Sequence, residues 1–355
     1  MIEIDGSVYS GSGTLLRYAM ALATLVGEPL HMTRIRAKRE KPGLMPQHLQ
    51  AVRACCSFSS GQLEGAELKS MEILYRPGKS LKGGDFQWDI GTAGSTTMLA
   101  FTLIPLALFA ERPCRFLLTG GLFQDNAPSA FHMQEVLIPM LRRMGAEVRL
   151  EMLRPGYVPK GQGHLMLEVK PLNGFLQPLF MNEPGKVKRV WGISLASHLE
   201  KEKVSERMAG RCEKLLKERG YQVQFQLLTD KTARQRGAAL FLGAKTDTGC
   251  LLGSDQAGKP GRRSEAIAEF VVASLLEDLE TKATTDRHLA DQLILFAALG
   301  QGTTEYLIPR TTDHVRANLW LAEKILGARA ELQENRLWVE GIGFLPPHFK
   351  KNRIS

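Results

Sequence analysis

The chain has 355 residues, 44% of them hydrophobic, which is enough for one large core or two domains. No apolar run reaches the roughly 18–20 residues of a membrane span. The opening MIEIDGSVYSGSG also lacks the basic-then-apolar order of a signal peptide, so a cytoplasmic location is expected. The formal net charge of +9 fits either a polyanionic partner such as RNA or a nucleotide, or simply a solubilising surface. The five cysteines form no CxxC pair, which argues against a disulfide framework and a zinc site; adjacent Cys55 and Cys56 read as buried thiols.

Taken in chain order, IEIDGSVYSGSGTLLRYAMALATLVGEPLHM reads as a strand, an acid–glycine turn, an apolar helix and a second strand. A helix opening at QHLQAVRACC and a strand at MEILYR follow. FQWDIGTAGSTTMLAFTLIPLALFAERPCRFLL repeats the pattern, continued by the helix FHMQEVLIPMLRRMG and the strands AEVRLEML and LMLEV. A weaker third copy, DRHLADQLILFAALGQGTTEYLI, leads into the helix DHVRANLWLAEKILG and the strands AELQ and RLWVE. The fold class is therefore α/β, with a β-α-β-α-β-β unit repeated three times.

Between the second and third copies lies a stretch with its own strand–helix alternation, read as a small inserted α/β domain over 184–280. The large domain is then 1–183 and 281–355. In the insert, VWGISLA and YQVQFQLL read as strands around the helix VSERMAGRCEKLLKERG, and AALFLGAKT with CLLGSD as a hairpin. SEAIAEFVVASLLEDLE is a helix with Ser264 as its expected N-cap, preceded by GSDQAGKPGRR as a mobile loop.

Five stretches carry candidate chemistry. In TRIRAKREKPGLMPQHLQAV, Arg34, Arg36, Lys38, Arg39 and Lys41 crowd a loop before a helix that opens near Gln47. That is either a phosphate site, where guanidinium forks meet free helix N–H groups, or a solvated charge run. DIGTAGSTTML is small-residue rich but lacks the Lys-Ser/Thr of a Walker loop, and helix packing alone explains it. RPGYVPKGQGHLMLEV predicts a tight turn before a strand. In PRTTDHVRANLW, Thr311, Thr312 or Asp313 can cap a helix with His314 in its first turn, where the dipole favours a neutral ring. His314 is then a nucleophile or a structural histidine; His48 and His132, at similar helix starts, favour the structural role. Asp291 and Gln292 are polar residues in an apolar helix, facing either a ligand or the surface.

Together IRAKREKPGLMPQHLQAVRA, EGAELKS, GGDFQWDIGTAGSTT, PRTTDHVRANLW and HLADQL resemble the RNA 3′-terminal phosphate cyclase family, from Ile2 to about Gly341. The resemblance implies a large domain of three repeated units with a small inserted domain. It implies ATP-dependent conversion of an RNA 3′-phosphate to a 2′,3′-cyclic phosphate through a histidine–AMP and an RNA-adenylate. By position His314 matches the nucleophile. Arg17, Arg36, Arg39 and Gln47 match the phosphate side of the ATP site, and Pro128, His288, Asp291 and Gln292 its nucleoside pocket. ATP, RNA 3′-phosphate ends and a divalent metal, magnesium or manganese, are the expected ligands.

The chain also departs from the family pattern. The family turn reads like DGSxGEGGGQ, whereas here it is DGSVYSGSGT, so Ser10 replaces the metal-side glutamate; Glu3 or Asp5 is a candidate substitute. Phe101 stands where a glutamine is usual, and Gln162 replaces a glycine of the RGxxPxGGG signature. The departures leave open a non-catalytic RNA-binding relative, or an adenylyltransferase acting on another polynucleotide phosphate end.

Overall fold

The computed structural model describes residues 1–125 and 127–345. Three of its sheets share one pattern. In the first, β1 (Ile2–Asp5) runs parallel to β2 (Leu30–Thr33), and β4 (Ile73–Arg76) is antiparallel to both β2 and β3 (Gln62–Glu64). The second repeats this order and these senses with β5 (Gly84–Asp89), β6 (Cys114–Gly120), β7 (Glu147–Arg154) and β8 (Gly163–Lys170). The third does so again, but it opens with a strand that the sequence reading missed, β9 (Phe180–Met181).

Because β9 is only two residues long, no periodicity could reveal it. It pairs in parallel with a later strand at Gln301–Leu307, so the third sheet takes one strand from before the segment over 187–257 and the rest from after it. The insert forms its own sheet from β10 (Val187–Ser197), β11 (Val223–Asp230), β12 (Gly237–Thr246) and β13 (Leu251–Ala257), in the order β11-β10-β12-β13. The chain then returns to complete the third sheet with β14 (Gln301–Leu307), β15 (Arg329–Gln333) and β16 (Arg336–Ile342).

Each of the three units places an apolar helix first and a more polar one second. Helices α1 (Gly13–Val26) and α2 (Pro46–Ser59) follow β1 and β2, and α3 (Thr96–Leu108) follows β5. After β6, α4 (Ala130–His132) passes through a π-turn, Met133–Leu137, into α5 (Ile138–Arg143). The insert carries α6 (Val204–Glu218) and α7 (Ser264–Glu280). Helix α8 (Leu289–Leu299) precedes β14, and α9 (Asp313–Leu321) follows it.

The first helices, α1, α3 and α8, are apolar on nearly every side, so no face can be left to solvent and they form the centre of the molecule. They meet through aromatic rings: Tyr18 stacks on Phe101 at 5.3 Å, and Phe101 meets the edge of Phe296 at 5.7 Å.

Two expectations for the insert change. Ser264 is the first helical residue rather than the cap; Arg263 holds the cap position and makes no side-chain cap bond. The expected mobile loop GSDQAGKPGRR begins as strand, since Gly253–Ala257 pair with β12, and its end is held by Arg262 on the Ala257 carbonyl and the Asp125 carboxylate. Of the adjacent thiols, Cys55 is buried but Cys56 is only half-buried.

Candidate functional site

Four helix N-termini open onto one cavity of about 430 Å³. The ends of α1, α2, α8 and α9 contribute Gly13, Gln47, His288 and His314 to its wall. Free N–H groups and aligned peptide dipoles make such a place favourable to an anion. All nine residues matched from the family pattern line this cavity: Arg17, Arg36, Arg39, Gln47, Pro128, His288, Asp291, Gln292 and His314. They come from five separate parts of the chain, so the fold brings together what the sequence keeps apart.

The arginines set the charge. Arg17 is buried in α1, where it donates to Thr14 Oγ1 at 3.3 Å and Met98 Sδ at 2.9 Å while its Nε has no partner. Burial pulls its pKa down to about 10. Arg36 sits in a left-handed turn after β2 (φ 53°) and donates to the carbonyls of Lys41 and Gly43, both at 2.7 Å, so it also braces the basic loop. Arg39 is exposed at the rim. Among the described residues, no carboxylate ion-pairs with Arg17, Arg36 or Arg39, whereas neighbouring Arg34 is paired to Asp5. A buried guanidinium without a counter-ion is costly, so its counter-ion is most simply a ligand.

Three histidines in the wall are held neutral. Thr312 caps α9 by accepting from Val315 N at 3.2 Å, which fixes His314 in the first turn. Burial, then the charges of Arg17 and Arg39, lower the His314 pKa. Its Nδ1 is buried without a partner, leaving Nε2 as the nitrogen that can face the cavity. His48 follows the same logic further: burial and then Arg17, Arg36 and Arg39 push it down to about 2. His48, at a helix start like that of His314, also lines the cavity beside Arg17. His288 is lowered by burial and by the charge of His132.

Asp291 opens onto the cavity but is otherwise walled by protein, and burial, then the charge of Asp286, raises its pKa to about 7. Gln292 lies 4% exposed with Oε1 unpartnered. Both polar side chains of α8 therefore face the cavity rather than the surface. Gln47 Oε1 accepts from Ser95 N at 2.8 Å, and Pro128 O accepts from Thr97 Oγ1 at 2.8 Å, so these two residues tie the wall to the start of α3.

Behind His288 lies a fully buried junction. Asp286 accepts from His132 Nε2 at 3.0 Å, from Gly253 N at 2.8 Å, and from the backbone N–H groups of His288 and Leu289, each at 2.8 Å. One carboxylate thus fastens α4, the insert strand β13 and the start of α8. His132 meets the His288 ring edge-on at 5.6 Å but does not line the cavity itself.

The departures have structural consequences. Ser10 Oγ donates to Ser12 Oγ, the cap of α1, at 2.9 Å. Glu3 is engaged with His31 at 3.0 Å, and Asp5 with Arg34 and Ser7, so neither points to the cavity as a substitute ligand. Phe101 lies in the core behind Tyr18, which lines the cavity. Gln162 adopts the left-handed conformation (φ 57°) that favours glycine. Among the described residues no group of three or more His, Cys, Asp or Glu is arranged to hold a metal.

Fold and cavity together define a mixed α/β protein with an arginine-lined, anion-seeking site that holds a neutral histidine at a helix start. The family model for RNA 3′-terminal phosphate cyclase matches residues 8–332. Relatives carrying that name include one from Archaeoglobus fulgidus, 36% identical over 96% of this chain and 100% of that protein. Another, from Trichormus variabilis, is 38% identical over 91% and 94%, and a third, from Pyrobaculum aerophilum, 33% over 97% and 99%. The chain belongs to the RNA 3′-terminal phosphate cyclase family. Among solved structures, the enolpyruvyl transferase NikO from Streptomyces tendae covers 96% of this chain and 48% of its own at 10% identity and a TM-score of 0.40, too slight to bear on fold or function.

Proposed function

We propose that the protein converts RNA 3′-phosphate ends to 2′,3′-cyclic phosphates at the expense of ATP. In this reading ATP lies in the arginine-lined cavity, with its base toward Pro128, His288, Asp291 and Gln292 and its phosphates toward Arg17, Arg36, Arg39 and Gln47. His314 Nε2 attacks the α-phosphorus and pyrophosphate leaves. An oxygen of the RNA 3′-phosphate then takes the AMP from the ring. Finally the neighbouring 2′-hydroxyl attacks the activated phosphate, loses its proton and expels AMP. Splitting the condensation in this way replaces one hard displacement by easier ones.

The observation that carries the reading is the buried, unpaired Arg17 beside a neutral His314 in one cavity. A lowered histidine pKa supplies the free base at neutral pH, and fixed guanidinium groups stabilise charge that builds on the leaving phosphates. Any magnesium or manganese enters as an ATP complex, held by phosphate oxygens rather than by protein carboxylates. Catalysis in this chain then leans on arginine for charge neutralisation. Residues 184–280 form an inserted domain in the same reading, and the location is cytoplasmic; no helix among the described residues is long and apolar enough to cross a membrane.

A second reading, RNA binding without turnover, draws on Ser10 and Phe101 at the metal side. Covalent labelling separates the two. The protein is incubated with α-labelled ATP and magnesium or manganese, with His314→Ala as control. Acid-labile label on wild type alone, passed to a 3′-phosphate oligoribonucleotide, supports cyclisation. Folded protein that takes no label with either metal overturns it.

A further inference from the structure

The glycine-rich turn ahead of α1 carries a ring that its backbone does not favour. Tyr9 has φ 47°, a left-handed conformation suited to glycine, and its side chain is 39% exposed. In the family turn DGSxGEGGGQ this position is a glycine. Neither local backbone preference nor core packing calls for a tyrosine here.

The ring is not isolated. Tyr9 packs against the half-buried Trp320 of α9, with ring centroids 5.8 Å apart at a tilt of 54°. Lys324 lies over the Trp320 ring at 5.1 Å, and Lys38 Nζ reaches the Tyr9 carbonyl at 3.4 Å. Arg316, one turn from Trp320, is exposed. A tilted aromatic pair thus has Lys324 over one ring, Lys38 at the Tyr9 backbone and Arg316 exposed nearby, the composition that holds single-stranded nucleic acid: bases stack on rings while Lys and Arg take the phosphates.

The patch is joined to the cavity at three points. Tyr9 leads through Ser10 into Ser12, Gly13 and Thr14, which line it. Lys38 lies between the lining residues Arg36 and Arg39. Trp320 shares α9 with His314, six residues on, or about 9 Å along the axis at 1.5 Å per residue. A strand ending at His314 could lay a nearby base on these rings.

We infer that Tyr9 and Trp320 form a stacking platform for a base of a single-stranded RNA acceptor near its 3′ end, with Lys38, Lys324 and Arg316 holding its phosphates. The inference rests on the cyclase reading for the identity of the strand, but its test does not depend on turnover.

Binding of a dye-labelled, single-stranded oligoribonucleotide bearing a 3′-phosphate is read by fluorescence anisotropy without ATP. Tyr9→Gly removes the ring and suits the local backbone, so it keeps the test valid should Trp320→Ala fold poorly. Each is expected to weaken binding about tenfold, from the loss of one base stack. Trp320→Phe keeps a stacking face and is expected to retain most of the affinity. Duplex RNA of the same length, whose base faces are already stacked, is expected to bind less well. Wild-type affinity in both Tyr9→Gly and Trp320→Ala, or equal binding of duplex and single strand, would overturn the platform. Failure of wild type to take label from ATP would sink the cyclase reading while leaving this result to stand or fall by itself.

Discussion

Gly13 is packed against the ring of His48 so closely that a Cβ on Gly13 would lie 2.1 Å from His48 Nε2 and 2.9 Å from a guanidinium nitrogen of Arg17. Gly13 is the first residue of α1 and His48 belongs to the first turn of α2, so the contact sets how two of the cavity's helix ends approach each other.

That contact gives a double-mutant test. Gly13→Ala is expected to displace His48 and Arg17, costing about 1–3 kcal/mol of overpacking and most of the ATP labelling. Alanine is otherwise the better helix residue by about 1 kcal/mol. In a His48→Ala background only the far end of the flexible Arg17 side chain remains within 3 Å, so the same change should cost much less or become neutral. Chemical denaturation of the four proteins measures the coupling, and a Gly13→Ala penalty that is the same in both backgrounds would remove His48 from the account.

The lowered pKa of His314 fixes the acid side of the labelling reaction. A ring displaced below its ordinary 6.5 by burial, Arg17 and Arg39 stays unprotonated at pH 7 and loses reactivity only in more acid solution. Single-turnover labelling should be flat from pH 7 to 8 and fall with an apparent pKa below 6.5. Arg39→Gln removes one of the depressing charges and should move that limb upward. A limb that starts above pH 7 in wild type would contradict the neutral-ring argument.

Arg17 separates stability from function. It is a cation 5% exposed with no carboxylate within ion-pair distance among the described residues, so in the ligand-free protein only the bonds to Thr14 and Met98 and the more distant Asp291 offset its desolvation. Arg17→Met, similar in reach and apolar, should leave thermal stability equal or raised while reducing ATP labelling by about two orders of magnitude, the scale of one lost charge-stabilising donor. A variant that melts well below wild type would show that Arg17 chiefly braces the fold through Thr14 and Met98.

How much of this was legible in the sequence differs by element. The long helices α1, α3 and α8 announced themselves by uninterrupted apolar content, and the repeated turn before α1 and α3 showed where strand gives way to helix. Strand β9 did not, because its two residues carry no period and its partner lies beyond the insert. The cavity residues were found through motif resemblance, since a basic loop or a polar pair has an ordinary surface explanation. A helix-start histidine looks alike in sequence whether it points into a core or a site, so His48 could not be placed there; its approach to Gly13 and Arg17 places it at the cavity wall. The Asp286–His132 junction was invisible because its partners are separated by 154 positions in the chain.

That junction yields a prediction in which the sign of a pH slope is the readout. Burial pushes the His132 pKa down, but the charge and hydrogen bond of Asp286 outweigh it and hold it above 6.5. Burial likewise pushes Asp286 up, and His132 outweighs it, bringing the carboxyl to about 2. A raised histidine contributes stability that is fully present below its unfolded pKa of about 6.5 and lost as pH rises through the folded value. The depressed aspartate contributes stability present above its unfolded value and lost as pH falls toward 2. Asp286→Asn keeps the shape but leaves His132 buried without its counter-charge, at a cost of about 3–5 kcal/mol. With burial now dominant, His132 should fold neutral, its folded pKa below the unfolded one, so its contribution should rise with pH up to about 6.5 rather than fall above it. Urea unfolding of both proteins from pH 5 to 8 compares the slopes. The same slope in wild type and Asp286→Asn would mean that the more distant Asp255 and Asp291, which also raise the His132 pKa, are enough to keep it charged.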